Sequence, residues 1–376
     1  METTVQKKIW LSSPHMGSNE IKYVEEAFNT NWIAPLGPNV NQFENSIQNY
    51  INEDVHVACL SSGTASIHLG LKLLGIEKDD IVLCQSFTFS ASANPILYLG
   101  AKPVFIDSER ETWNIDCELL EKAIIELIAK GKKPKAVIAV HLYGMPYNVD
   151  ELIKISNKYE IPVLEDSAEA LGSNYKGIKC GSFGDISILS FNGNKIITTS
   201  GGGALVSKNK QIKDRAIFLA TQARDEAPHY QHSNVGHNYR MSNVLAGIGI
   251  GQMEVLPKRV EARRKNYSIY ESSLSNISNI EFLNEPNGYY SNRWLTCILF
   301  DSYKVREQVR LALGEENIES RPLWKPMHLQ PIFSKERSYV NGVSDDLFKR
   351  GLCLPSGSNL DIEDIERVIK IIKTQL

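Results

Sequence analysis

Lys195 stands four residues beyond the run Ile186-Ser187-Ile188-Leu189-Ser190-Phe191 and six before the glycines Gly201 to Gly203. The run alternates and is rich in β-branched side chains, so it reads as a buried strand. Gly193 and Gly201 to Gly203 let the backbone approach a bound group closely. A lysine desolvated in such a place can lose its proton and form a Schiff base with an aldehyde. The competing reading is a solvated lysine in a glycine-rich turn.

Two upstream motifs favour the chemistry. Glu165-Asp166-Ser167-Ala168-Glu169 follows the apolar run Ile161-Pro162-Val163-Leu164. Asp166 is thereby expected at a strand's carboxyl end, where open α/β sheets hold their ligands. A carboxylate there keeps a pyridine nitrogen protonated and makes the ring an electron sink, as pyridoxal phosphate (PLP) requires. The alternative is a cap on a following helix. The separation of Asp166 from Lys195 (195 − 166 = 29) leaves room for one further connection and strand, so both can meet over one edge of a parallel sheet. Ser61-Ser62-Gly63-Thr64-Ala65-Ser66 leads into Ile67, Leu71 and Leu74 at helical spacing. Such a helix amino terminus cradles phosphate, although Ser/Thr/Gly there is also ordinary capping. Together the three motifs supply a phosphate anchor, a pyridinium partner and an aldehyde-trapping amine, the requirements of PLP with pyridoxamine phosphate as its alternate form.

The elements that must position these residues alternate along the chain. Strands are expected at 55–59, 81–84, 103–106, 136–140 and 162–164, with helices at 64–74, 90–98 and 149–159 between them. This pattern implies a mostly parallel sheet flanked by helices. Ser18 opens a helix with Ile21, Val24 and Phe28 on one face, and a helix from Val40 turns Phe43, Ile47 and Tyr50 inward. Ser242 starts a segment with Ala246, Gly247, Gly249 and Gly251, packed tightly on neighbouring backbone and ending before Pro257. A charged helix from Lys258 leads into a second unit with strands at 294–299 and 318–320 and a terminal helix at 363–371. The division is a large α/β domain with an amino-terminal arm, 1–257, and a smaller α+β domain, 258–376.

Composition excludes several classes. The chain has 376 residues, 42% hydrophobic and 23% charged, with a net charge of −3. That charge argues against a nucleic-acid or membrane partner. Six cysteines are scattered without CxxC or zinc spacing, which suits a reduced cytosolic protein and no metal site. METTVQKKIW lacks a signal-peptide core, so a cytoplasmic location is expected.

The motifs resemble those of the DegT/StrS-type nucleotide-sugar aminotransferases, PLP enzymes of the aspartate aminotransferase fold (fold type I). The likeness runs from Leu11-Ser12-Ser13-Pro14 to Leu354-Pro355-Ser356-Gly357. Its specific stretches are SSGTAS (61–66), SFTFSASANP (86–95), PVFID (103–107), HLYG (141–144), EDSAEALGS (165–173), SFNGNKIITTSGGG (190–203), GHNYRMSN (236–243) and RPLWKPMH (321–328).

This resemblance implies that Lys195 carries the cofactor, Asp166 pairs with its ring nitrogen, and Gly63, Thr64, Ala65 and Ser190 hold its phosphate. Phe89 stacks on the ring, whereas Phe87 reads as core. Glu169 lies near the phenolic oxygen, where most relatives have Gln or His, and either accepts its proton or meets the sugar. Asn238 reaches the partner's phosphate in a homodimer with shared sites. Asn192, Arg240, Arg321 and His328 face the substrate; a guanidinium such as that of Arg321 matches a phosphate or carboxylate. His15 and His141 are undistinguished from packed histidines.

L-glutamate and a nucleotide sugar are the implied substrates. Asn192-Gly193-Asn194 and Ser200-Gly201-Gly202-Gly203 resemble the branch that aminates the 4-keto carbon of a UDP-linked 6-deoxy-N-acetylhexosamine towards bacillosamine. Many members have His at position 192 and Glu at 201. The alternatives are a dTDP- or GDP-4-keto-6-deoxy sugar, a PLP sugar dehydratase, or a sensor protein. Dehydratase relatives carry His in place of Lys195.

Overall fold

The computed structural model describes residues 6–52 and 54–376; the first five residues of the expected 1–257 domain lie outside it. Short apolar runs at 56–60, 81–85, 102–106, 136–140, 163–166 and 186–190 bury nearly every side chain, as strands covered on both faces must. They build an eight-stranded sheet in the order His56–Leu60, Gly203–Ser207, Ile186–Ser190, Val163–Asp166, Ala136–Val140, Ile81–Gln85, Lys102–Ile106, Arg337–Tyr339. Every pairing from Ile186–Ser190 outward to Arg337–Tyr339 is parallel. Gly203–Ser207 runs antiparallel to both its neighbours. The carboxyl ends of several strands therefore open on one edge, with the helix Gly63–Leu73 starting just past Leu60 and the helix Ser90–Tyr98 just past Gln85.

A second sheet of four short antiparallel strands, Ile280–Phe282, Thr296–Phe300, Gly351–Leu354 and Arg321–Pro322, lies in the carboxyl-terminal part. Tyr303–Glu315 and Ile362–Thr374 cover it, closing a core that includes Ile298, Phe300, Val309, Leu313, Val368 and Ile372. Ile318 makes only an isolated bridge to Ile9, so the strand expected at 318–320 is instead the pair Arg321–Pro322.

Two helices differ from expectation. One helix runs unbroken from Asn243 to Leu274 with Pro257 inside it, so a boundary at 257/258 falls within a helix. Proline removes one hydrogen bond and crowds one carbonyl, at about 3 kcal/mol. Leu256 and Val260, buried on either side, hold the helical path against that cost. The helix Glu20–Asn29 buries Glu20 and Ala27, leaving Ile21 and Phe28 62% and 63% exposed. It is turned because it packs on the glycines of Asn243–Leu274. A Cβ on Gly251 would lie 2.7 Å from the Glu20 amide nitrogen, and one on Gly247 3.1 Å from Tyr23 Cβ. The close backbone packing expected of that glycine stretch is present.

Candidate active site

Asp166 ends its strand and pairs in register with Ile188 on the neighbouring parallel strand, which ends at Ser190. No helix follows Asp166: residues 168–172 are turns, and its Oδ1 accepts only the local Ala168 amide at 3.1 Å. Its Oδ2 accepts from Ser92 Oγ at 2.7 Å, and that hydroxyl meets Thr88 Oγ1 at 2.7 Å. The carboxyl is 3% exposed. Burial pushes its pKa up, opposed by the Ser92 and Ala168 hydrogen bonds and the charge of Lys195. Such a group favours a nearby cation.

Glu165, one residue earlier, is structural. It accepts from His141 Nε2 (2.8 Å), Ser167 Oγ (2.9 Å), Gly181 N (2.5 Å), Phe183 N (2.8 Å), Gly184 N (3.0 Å) and Ser187 Oγ (2.6 Å). Burial opposes its charge, yet the His141 and Ser187 bonds and the Gly181 amide hold it down to about 2. The Tyr147 amide donates to His141 Nδ1 at 3.2 Å, which leaves the proton on Nε2 facing Glu165. His141 is thus a buried brace beneath the site, and His15 is tied to Ser358 and Arg259.

The phosphate cradle is steric as much as electrostatic. Ser62 caps the helix Gly63–Leu73, accepting the Ala65 amide at 3.0 Å. The Gly63 and Thr64 amides in that first turn have no intrahelical acceptor, and both residues line the cavity. Ala65 is spent on the cap and does not line it. A Cβ on Gly203 would sit 2.4 Å from the Gly63 nitrogen, and one on Gly202 2.3 Å from Thr199 Oγ1. Gly203, which abuts backbone, is therefore obligatory, whereas Gly202 abuts side-chain atoms of Thr199 and Met241. Ser190 lines the same corner.

Lys195 projects into a cavity of about 520 Å³. Its side chain is 11% exposed, with Nζ 3.2 Å from Glu169 Oε1 and 4.1 Å from the centre of the Trp294 ring. Glu169 Oε2 accepts the Tyr143 amide at 2.7 Å. Tyr143 holds φ = 54°, a strained angle for a bulky residue, and so aims that N–H at the carboxylate. Burial raises the Glu169 pKa to about 7 against the charge of Lys195. Trp294 Nε1 and Ser12 Oγ both donate to the Asn194 carbonyl at 2.7 Å, fixing the turn that carries Lys195.

Phe89 is 56% exposed on the cavity wall, its ring 5.4 Å from that of Trp324, while Phe87 is core. Asn192 and Arg321 also line the wall; Arg321 is paired with Glu319 at 2.8 Å. Two residues expected to face the substrate, Arg240 and His328, stand elsewhere. Arg240 donates to Glu44 and to the Cys59 carbonyl, because a buried cation needs those acceptors, and it does not face the cavity. His328 is clamped between Ser86 Oγ (2.7 Å) and Asp345 Oδ1 (2.9 Å). Asn238 is exposed, bridging Thr221 away from this chain's cavity. Ser92, Tyr143 and Trp324 lie in motif stretches named above but are not singled out there, and Trp294 lies in none of them.

The residues present fit PLP. An amine, a buried carboxylate and a helix-terminal cradle line one cavity, and Gly203 lets the backbone pack closely against the cradle. Fold and site together define a PLP-dependent aminotransferase of fold type I. The chain belongs to the DegT/DnrJ/EryC1/StrS aminotransferase family, which it matches over residues 14–373. It is 51% identical to EpsN of Bacillus subtilis (strain 168), named as a pyridoxal phosphate-dependent aminotransferase, across 98% of this chain and 96% of that one. It is 35% identical to the GDP-perosamine synthase of Escherichia coli O157:H7, across 96% of each. The PLP form of the sugar aminotransferase Spr1654 from Streptococcus pneumoniae superposes with a TM-score of 0.91 at 26% identity, covering 98% of both chains.

Proposed function

We propose that this enzyme moves the amino group of L-glutamate to the C4 ketone of a nucleotide-linked 4-keto-6-deoxy sugar, with UDP-2-acetamido-4-keto-2,6-dideoxyglucose as the acceptor. When bound, PLP supplies the aldehyde and the electron sink. Lys195 bonds that aldehyde and, once released, carries a proton to and from the reacting carbon. Asp166, held by Ser92, keeps the ring nitrogen protonated. Gly63, Thr64 and Ser190 take the phosphate, and Phe89 covers the ring.

The observation that supports the acetamido sugar is Gly201. It lines the cavity, and a Cβ there would meet nothing within 4 Å. Its glycine is thus not demanded by packing, unlike Gly203, and leaves space beside the acceptor. The likeness to a GDP-perosamine synthase favours a GDP-4-keto-6-deoxymannose acceptor as the second reading. Comparing kcat/KM for the UDP-acetamido ketone, GDP-4-keto-6-deoxymannose and dTDP-4-keto-6-deoxyglucose tests it; preference for either of the latter two sinks the acetamido assignment.

The working unit is taken to be a homodimer. Asn238 is exposed, and Ile21, Phe28, Trp32 and Leu36 present apolar surface on and beside the helix Glu20–Asn29. A fully active monomer in sedimentation at assay concentration would exclude it. The proposed location is the cytoplasm, a reading that rests on the proposed nucleotide-sugar substrate. Separately, no helix among the described residues is long and apolar enough to cross a membrane.

A further inference from the structure

Glu169 is a buried acid with one compensating charge. Lys195 Nζ lies 3.2 Å from its Oε1. Among the described residues, the other titratable groups acting on it offer no cation. Asp166, at the end of the strand that leads into the turn of Glu169, adds negative charge. Tyr143, from the turn 142–144, and Cys297, from the strand Thr296–Phe300, are both pushed up by burial and stay neutral. The Trp294 ring, 4.1 Å from Nζ, adds cation–π attraction on the lysine's other side. The carboxylate and the ring face thus place two groups that attract a cation against Nζ.

We propose that Glu169 and Trp294 hold Lys195 as an ammonium while no cofactor is bound, and that Glu169 takes up the lysine's proton when Lys195 bonds the aldehyde. This rests on the assignment of Lys195 as the cofactor lysine. In the step, the C–N bond forms and the C=O bond breaks. The oxygen leaves as water with two of the three ammonium protons, and the third passes to the Glu169 carboxylate. No electrons are exchanged. The reason is electrostatic: once the lysine charge is gone, an ionised Glu169 would stand uncompensated beside Asp166, and a buried unpaired carboxylate protonates instead. Its pKa, raised by burial to about 7 even beside Lys195, agrees with that readiness.

The consequence is a proton count. Linking cofactor to Lys195 in the native protein releases one proton fewer to solvent than in Glu169→Gln. The full-length protein is mixed with pyridoxal phosphate at several pH values, and the lysine-bound fraction is read by absorbance and fixed by borohydride. Above about pH 7 the linking constant of Glu169→Gln, relative to native, rises about tenfold per pH unit. Glu169→Asp, which keeps a titratable carboxylate, follows the native line. Parallel native and Glu169→Gln lines overturn the proposal, as does Glu169→Asp following the Gln line. A native protein in which borohydride fixes no cofactor on Lys195 overturns the cofactor-lysine assignment itself. The two failures are therefore told apart.

Discussion

Trp294 lies over the Lys195 amine, 4.1 Å from Nζ to ring centre, while its Nε1 donates to the carbonyl of the preceding residue, Asn194, at 2.7 Å. One side chain from the carboxyl-terminal part thus both roofs the lysine and fixes its turn. Trp294→Leu removes both contacts, together about 2 kcal/mol. It is expected to cut kcat about tenfold, whereas Trp294→Phe, which keeps a ring, loses less. Equal losses in the two variants, measured under saturating substrate, would contradict the role of the ring face.

Asp166 carries a separate expectation. Asp166→Asn still binds cofactor through the cradle and Lys195, but turns over at least a hundredfold more slowly, because a neutral amide cannot retain the ring proton. Ser92→Ala, which removes the 2.7 Å bond to Oδ2, has a milder effect of about tenfold or less. Near-native turnover in Asp166→Asn would reduce that residue to a turn former.

Glu165 sets a stability prediction. Its folded pKa of about 2 lies below the ordinary value of 4.5, so its contribution is fully present above that ordinary value and lost as pH falls through about 2. Glu165→Gln turns an amide nitrogen towards donors that need an acceptor. It should cost about 3 kcal/mol at neutral pH, read from denaturant unfolding. A loss below about 1 kcal/mol would mean that the six donors are satisfied without the charge.

Much of this architecture is legible in the chain because period and punctuation agree. Ala136–Val140 and the helices Ser90–Tyr98 and Val149–Tyr159 fall where alternation and helical spacing place them. Asp166 and Lys195 converge as their spacing suggests, and the link from Asp166 to the strand before Lys195 holds the two-residue strands Asn174–Tyr175 and Ile178–Lys179. Pro257 misleads because propensity yields to packing on both sides of it. Ile21 and Phe28 mislead because glycines on the facing helix invite the small side of Glu20–Asn29 inward. Trp294 and Ser92 are silent because each meets its partner across 99 (294 − 195) and 74 (166 − 92) residues of chain.

Gly201 offers the test of the acceptor wall. Its backbone angle lies outside the left-handed region, and a Cβ would meet nothing, so Gly201→Glu should fold with an unchanged Tm. The added carboxylate should lower kcat/KM for the UDP-acetamido ketone at least tenfold. A variant with native kcat/KM would remove Gly201 from the specificity argument.

The central claim is that Lys195 is the residue that holds the cofactor. Borohydride reduction of the purified protein, followed by proteolysis and mass spectrometry, tests it directly. The account predicts that the cofactor's mass appears on the peptide containing Lys195 and is absent from Lys195→Ala. Finding it on Lys179 or Lys208 would contradict the account.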